Sequence, residues 1–220
     1  MQLRKHLKDA TGFALVWTGA KLSHRVRFEC SAQIPRTGPV ILVANHLTMT
    51  EPLAVARLVI GHRRFPHFMV MRQVFSWPVI GQLMRLAGQI PVDRGSAKAA
   101  QALDGAAAQL EAGRVVVLYP EGKLTTDPDL MPGPARTGAA RLALAHPTVP
   151  VVPIGQWGPK PGRRHMLHRH TSRLRIGEPI DLSPFVGARD QDADEDTVRA
   201  ATDAIMAAIR AEVLAAKADR

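Results

Sequence analysis

The sequence predicts an α/β domain with a mixed, largely parallel sheet flanked by helices. Three observations carry this. Short runs rich in Val and Ile recur along the chain, and helical segments lie between them. The runs are continuous, not alternating, as expected of strands covered on both faces. Alternation of such strands with helices builds a parallel sheet. At 220 residues the chain suits one sizeable core and is short for two, so 1–220 is read as a single domain.

In chain order, residues 1–27 come first, with basic residues ahead of a short mixed segment. A cleaved signal calls for a cleaner apolar core and a small-residue cleavage site, so an amphipathic helix is expected here. Phe13, Leu15, Val16 and Trp17 suit a lipid face, with Arg4, Lys5, Lys8 and Lys21 toward phosphates. Packing of the same stripe on the protein's own body is the alternative. Strands are expected at 39–45 (PVILVAN), 67–71 (HFMVM), 114–120 (RVVVLYP), 149–155 (VPVVPIG) and 172–180 (SRLRIGEPI). The apolar stretch 68–86 reads either as a second apolar surface or as core. A helix is expected over 96–113, from Ser96 as N-cap to Gly113 beyond the C-terminus, with Gly105 inside it as a cost. "TGAARLALAH" gives another helix and 192–218 a long, Ala-rich C-terminal one. Residues 160–170 (KPGRRHMLHRH) read as a basic surface loop.

The net charge of +10 and pI near 10.8 draw the chain to anionic partners: nucleic acid, anionic lipid or phosphorylated metabolites. Acidic residues cluster in "RDQDADED", so the body before it is more basic than the total indicates. The single cysteine, Cys30, excludes an internal disulfide framework and a Cys-rich zinc site. No run approaches the roughly 18 consecutive apolar residues of a membrane span.

The stretch "NHLTMTEP" follows the apolar run "PVILVA" directly. His46 and Glu51 would lie about 140° apart around a regular helix. They meet only if His46 lies in the loop after the strand and Glu51 near a helix start. Pro52 suits a first helical turn, and an acidic residue suits its positive end. A capping box, Thr48-x-x-Glu51, is the structural alternative. In that register Pro52 becomes the fourth helical residue and removes the first intrahelical bond, a poor fit. As a chemical pair, a carboxylate on one imidazole nitrogen fixes the tautomer and raises the basicity of the other. Such a histidine can take a proton from an attacking alcohol.

Two further blocks, "GQIPVDRG" (88–95) and "YPEGKLT" (119–125), lie next to strand ends or turns. Ligand sites of α/β sheets gather there. Arg94 and Lys123 are cations available to a phosphate, although Asp93-Arg94 also reads as a turn salt bridge and Pro-Glu-Gly as a plain turn.

Taken together, "NHLTMTE", "GQIPVDR", "YPEGKLT" and "VPVVPIG" resemble, in order and approximate spacing, the four blocks of the glycerolipid acyltransferases. These are the 1-acylglycerol-3-phosphate acyltransferases and their relatives. "GEPI" adds to the likeness, which spans roughly 38–181. The resemblance implies a glycerol-phosphate acyltransferase-like fold with a fatty-chain tunnel and a basic, membrane-facing surface. It implies His46 as general base with Glu51 as partner, and Arg94, Glu121 and Gly122 in blocks that bind the phosphorylated acceptor. It implies acyl-CoA or acyl carrier protein as acyl donor, with no further cofactor. The acceptor it implies is a lysophospholipid, first of all 1-acylglycerol-3-phosphate, and the location the cytoplasmic face of the cell membrane.

Two departures from the family pattern matter, the second for the acceptor. The family usually has Asp where this chain has Glu51. Leu124 stands where the family's third block often has Arg, with Lys123 one position earlier. The phosphate is therefore assigned to Lys123 or to Arg136, and another glycolipid or lysolipid acceptor stays open. His165, His168 and His170 have spacing suited to a metal, but Arg163, Arg164 and Arg169 among them oppose a divalent ion. There is no G-x-S-x-G nucleophile elbow and no P-loop. A non-catalytic basic module for anionic lipid or nucleic acid is the rival class, though the few aromatics argue against base stacking.

Overall fold

The computed structural model describes residues 24–30, 33–93, 99–158, 170–187 and 194–218. Seven strands form one sheet: β1 (His24–Cys30), β2 (Val40–Ala44), β3 (Pro66–Met71), β4 (Ile90–Val92), β5 (Val115–Leu118), β6 (Val151–Trp157) and β7 (His170–Ile176). Their order is β1-β7-β6-β2-β5-β3-β4. Every pairing is parallel except β6 with β7. Among the described residues there are five helices of at least seven residues, α1 (Pro52–Gly61), α2 (Ile80–Leu86), α3 (Ala99–Glu111), α4 (Gly138–Ala145) and α5 (Glu195–Ala218); α1 covers one face of the sheet, α3, α4 and α5 the other, and α2 packs on the 3-10 turn before it.

The strands are apolar throughout because both faces are covered. Along β2, Val40, Leu42 and Ala44 pack toward Ala54, Val55 and Leu58 of α1. Ile41 and Val43 pack into the opposite cluster with Leu110 of α3, Ala140 of α4 and Ile205 of α5. β5 repeats this, with Val115 and Val117 on one side and Val116 and Leu118 on the other. Fully burying such a side chain contributes roughly 1.5–3 kcal/mol. These strands are therefore fixed in register, and with them the loops at their ends.

Arg64 ties the opposite edge together. Its guanidinium donates to Pro35 O and Gly38 O, both at 2.6 Å, and to Gly113 O at 2.9 Å. Those carbonyls precede β2 and β5. The carboxyl ends of the same strands carry His46 and Tyr119.

The expected strands, and the helices expected over 96–113, over TGAARLALAH and over 192–218, are found within the described residues with shifted ends. β5 stops at Leu118, two residues before the expected end, and β6 runs on to Trp157. α3 passes through Gly105 and closes as expected: Gly113 has φ +71°, and the N–H groups of Gly113 and Arg114 bond to Leu110 O and Gln109 O. Two strands went unrecognised, β1 and β4. β1 corrects the helical segment expected over 1–27, because residues 24–27 are extended and pair with β7. The alternating "HRVRFEC" has the period of a strand. The rest of that segment, Ser96, Arg94, His165 and His168 lie outside the described residues.

The stretch 68–86 divides. Phe68 is core, whereas a 3-10 turn (Arg72–Ser76) and α2 leave Trp77, Val79 and Ile80 exposed. Val79 has φ +63° and ψ −59°, and the Ile80 N–H reaches back to Pro78 O at 2.6 Å. This is a γ-turn with positive φ, a conformation costing on the order of 1–3 kcal/mol at a β-branched residue. Among the described residues no helix is long and apolar enough to cross a membrane.

Candidate active site

β2 delivers Asn45 and His46 to the carboxyl edge of the sheet. Asn45 is fully buried and clasped to Gln156 of β6. The Gln156 N–H donates to Asn45 Oδ1 (2.7 Å), Asn45 Nδ2 donates to Gln156 O (2.9 Å), and Gln156 Nε2 donates to Asn45 O (2.7 Å). Three bonds thus fix the backbone one residue before the imidazole.

His46 is held from several sides. Its backbone N–H donates to Glu121 Oε1 at 2.8 Å, and its carbonyl accepts from the Thr125 N–H at 2.7 Å. Its ring stacks on Tyr119, with centroids 4.4 Å apart and planes 21° from parallel. Tyr119 in turn stacks at 6.3 Å on Phe68. His46 Nδ1 lies 2.5 Å from Glu51 Oε1.

Glu51 is the residue before α1, with Pro52 as the first helical residue. It is 3% exposed. Its second oxygen, Oε2, accepts the Leu47 N–H and, at 2.6 Å, the Thr48 N–H. The Glu51 N–H donates to Thr48 Oγ1 at 3.1 Å. The two sequence alternatives are therefore both realised. Thr48 and Glu51 exchange the reciprocal bonds of a capping box, one turn ahead of the helix. The same carboxylate spends its other oxygen on the imidazole. Acceptance at both oxygens suits the ionised form, so Nδ1 carries the hydrogen and Nε2 is the ring's acceptor. Burial pushes the Glu51 carboxyl up from its ordinary value; the His46 partner and the Leu47 and Thr48 N–H groups oppose that rise.

Glu121, also 3% exposed, accepts the His46 N–H through Oε1 and the Gly133 N–H at 2.9 Å through Oε2. Burial raises its pKa, against those bonds. It holds the 133 loop and the His46 backbone together. Gly122 has φ +63° and closes a turn with its N–H to Tyr119 O at 2.9 Å. A Cβ there would lie 3.0 Å from Arg136 Nε, so glycine leaves the room in which the Arg136 side chain crosses.

A cleft of about 1150 Å³ opens beside this constellation. His46, Tyr119 and Gly122 line it, as do Leu124, Met84 and Leu103. Arg136 and Arg141 are the cations of its described wall. Arg141 is paired with Glu195, whereas the exposed Lys123 is not part of that wall. The structure thus brings together His46, Glu51, Glu121, Gly122 and Arg136, leaves Lys123 at the surface, and does not describe Arg94. Leu124 gives an apolar wall where the family often has a guanidinium. Among the described residues no group of three potential metal ligands gathers.

Sequence reasoning missed Tyr119, Asn45 and Gln156. Tyr119 had a signal, an aromatic directly between a strand and the Pro-Glu-Gly turn. Gln156 had none, since it lies 111 residues from Asn45. The Tyr119 hydroxyl is buried beside the Gln156 side chain, and among the described residues neither it nor Gln156 Oε1 reaches hydrogen-bonding geometry. Burial raises the Tyr119 pKa well above its usual value, so the hydroxyl stays protonated.

Known proteins share this fold and part of this sequence. The chain is 30% identical over 179 residues to a lyso-ornithine lipid O-acyltransferase of Pseudomonas aeruginosa, covering 79% of this chain and 59% of that protein. It is 24% identical over 151 residues to a 1-acyl-sn-glycerol-3-phosphate acyltransferase of Streptococcus pneumoniae, covering 69% and 53%. The chain therefore spans between half and three-fifths of the length of these curated relatives. The crystal structure of the 1-acyl-sn-glycerophosphate acyltransferase PlsC from Thermotoga maritima shares the fold: TM-score 0.70, 22% identity, 94% of this chain and 80% of that one. The model of the family described as Acyltransferase matches residues 25–157, strands β1 to β6 with the His46–Glu51 pair among them, and the chain belongs to that family.

Proposed function

We propose that the protein transfers a fatty acyl group from a thioester, acyl-CoA or acyl carrier protein, to a lysolipid hydroxyl, with 1-acylglycerol-3-phosphate as acceptor and phosphatidic acid as product. The observation that carries this reading is the 2.5 Å contact of His46 Nδ1 with the buried Glu51, on the wall of a cleft that is otherwise mostly apolar.

In this reaction His46 Nε2 takes the proton of the acceptor hydroxyl as its oxygen attacks the thioester carbonyl. The carbon–oxygen bond forms, the tetrahedral intermediate collapses, and the carbon–sulfur bond breaks. The imidazolium returns its proton to the leaving thiolate, so acid and base roles balance in one residue. Glu51 stabilises the imidazolium and holds the ring orientation. Tyr119 supports the ring face, and Glu121 and the Asn45–Gln156 clasp hold the backbone beneath it, so positioning precedes chemistry. Arg136 meets the headgroup anion through charge-assisted hydrogen bonds. The apolar wall takes the acyl chain.

A second acceptor is favoured by one observation. Leu124 lines the cleft, and Arg136 is the cation of the described wall that lacks an ion-pair partner there. One unpaired guanidinium among the described wall residues suits a headgroup with less negative charge than a phosphate monoester, such as that of a lyso-ornithine lipid. Release of free thiol from palmitoyl-CoA, followed with each acceptor in turn, tests both. Thiol release dependent on 1-acylglycerol-3-phosphate is expected. Release dependent on lyso-ornithine lipid alone moves the assignment to the second acceptor. Release with neither acceptor removes the acyl-transfer reading.

A further inference from the structure

We propose that the turn presenting Trp77, Val79 and Ile80 is the surface by which this protein docks on a bilayer containing anionic lipid. Val79 stands at the tip of the positive-φ γ-turn and is 71% exposed; Trp77 and Ile80 beside it are 49% and 42% exposed. Among the described residues no packing accounts for a strained turn that leaves a valine this exposed. Strain of this kind concentrates where a side chain must be presented. Tryptophan beside aliphatic residues suits the headgroup level of a bilayer, where an amphipathic ring has both its environments.

The turn is stiff. A Cβ on Gly81 would fall 2.1 Å from Phe75 O, so α2 is packed hard against the preceding 3-10 turn. Arg85 braces the same join by donating to Phe75 O at 2.6 Å. The apolar tip is therefore presented by a rigid base.

Charge supports the same partner. Residues 66–92, from β3 to β4, hold two arginines, Arg72 and Arg85, and no acidic residue. Exposed Arg85 lies on α2 itself, and Arg72, which opens the 3-10 turn, pairs with Asp93 at 2.6 Å. Basic segments beside an apolar anchor are drawn to anionic leaflets. The patch is also continuous with the cleft, because Trp77 and Ile80 belong to the wall that includes His46. A single-chain lipid leaving the bilayer at this turn reaches that wall without crossing bulk water. Three apolar side chains are far fewer than the roughly 20–30 residues a side of a stable protein interface. They suit shallow insertion into a lipid surface.

This surface does not depend on the acyl-transfer reading, and its test does not read turnover. In the full chain, Cys30→Ser with Val79→Cys leaves one thiol for a nitrobenzoxadiazole fluorophore. Mixed with phosphatidylcholine:phosphatidylglycerol vesicles, the label is expected to shift to the blue, brighten several-fold and be quenched by brominated acyl chains. A label that stays water-exposed on vesicle-bound protein overturns the proposal, as does failure to bind these vesicles. A response to acidic acyl carrier protein and not to vesicles overturns it in favour of a protein partner. In an independent arm, Val79→Asp is expected to lower partitioning into the same vesicles ~tenfold while the thermal midpoint is kept. Undiminished partitioning of this variant overturns the proposal as well.

Discussion

Two loops leave the carboxyl edge of the sheet side by side, one after β2 and one after β5, and each carries a glutamate that is 3% exposed. Glu51 spends one oxygen on the His46 ring and the other on two backbone N–H groups. Glu121 spends both on backbone N–H groups, those of His46 and Gly133. Burial raises the pKa of both. One acid thus addresses the ring of His46 and the other its backbone. The difference separates a carboxylate that takes part in proton transfer from one that holds the frame in which the transfer happens.

Replacing the histidine itself carries the largest expected effect. His46→Ala removes the base from both arms of the comparison, and kcat is expected to fall by about 10²–10⁴. Lysolipid binding, read by equilibrium dialysis, should survive. Wild-type turnover in this variant removes the mechanism.

Next come the two acids. Glu51→Gln is expected to lower kcat by about 10², because the amide stabilises no imidazolium. Glu51→Asp keeps the charge and should lose far less. Glu121→Gln keeps one acceptor and loses the other, so its cost is expected in stability, roughly 1–3 kcal/mol, with kcat changed less than about tenfold. Denaturant unfolding and steady-state kinetics on the three proteins separate charge from frame. Equal kcat losses in Glu51→Gln and Glu121→Gln would erase the distinction.

A smaller effect is expected at the cations. Arg136→Ala should raise KM for 1-acylglycerol-3-phosphate about tenfold with kcat nearly kept, the loss of one charge-assisted contact. Lys123→Ala should change KM less than about twofold, since Lys123 is outside the cleft wall.

The pH profile gives the finest discrimination. Glu51 is raised above its ordinary value of 4.5, so the pair loses its ionised carboxylate as pH falls through a point above 4.5. A group whose pKa is higher folded than unfolded adds stability as pH falls between the two values. Activity should therefore decline on the acid side while protonation of Glu51 itself favours the folded state. Measuring kcat/KM and the thermal midpoint across that window checks the sign. A shared midpoint for both would mean that unfolding, not titration of the pair, ends activity.

Much of this arrangement was legible in the sequence, because local patterns set it. β2 and β5 are β-branched runs buried on both faces, and Pro52 marks the start of α1. That placement forces His46 into a loop and Glu51 to a helix entrance, where a five-residue spacing closes. The capping box is a poor fit only where its register continues into the helix, because Pro52 then falls fourth. In the structure the box precedes the helix, and the carboxylate has two oxygens to share. What was not legible depends on contacts between distant segments. No local rule joins Asn45 to Gln156, and none turns Glu121 toward the His46 N–H. β4 has three residues, too few for a period to show. Leu124 and Lys123 were readable as departures from the family pattern, but which side of the turn faces the cleft is decided by packing.

The Asn45–Gln156 clasp has one further consequence. It anchors the imidazole to the centre of the sheet, on strands whose far ends are tied down near Arg64 or buried in core. None of the three bonds involves Leu124 or Arg136, so substitutions along that part of the wall leave the anchor of the imidazole untouched.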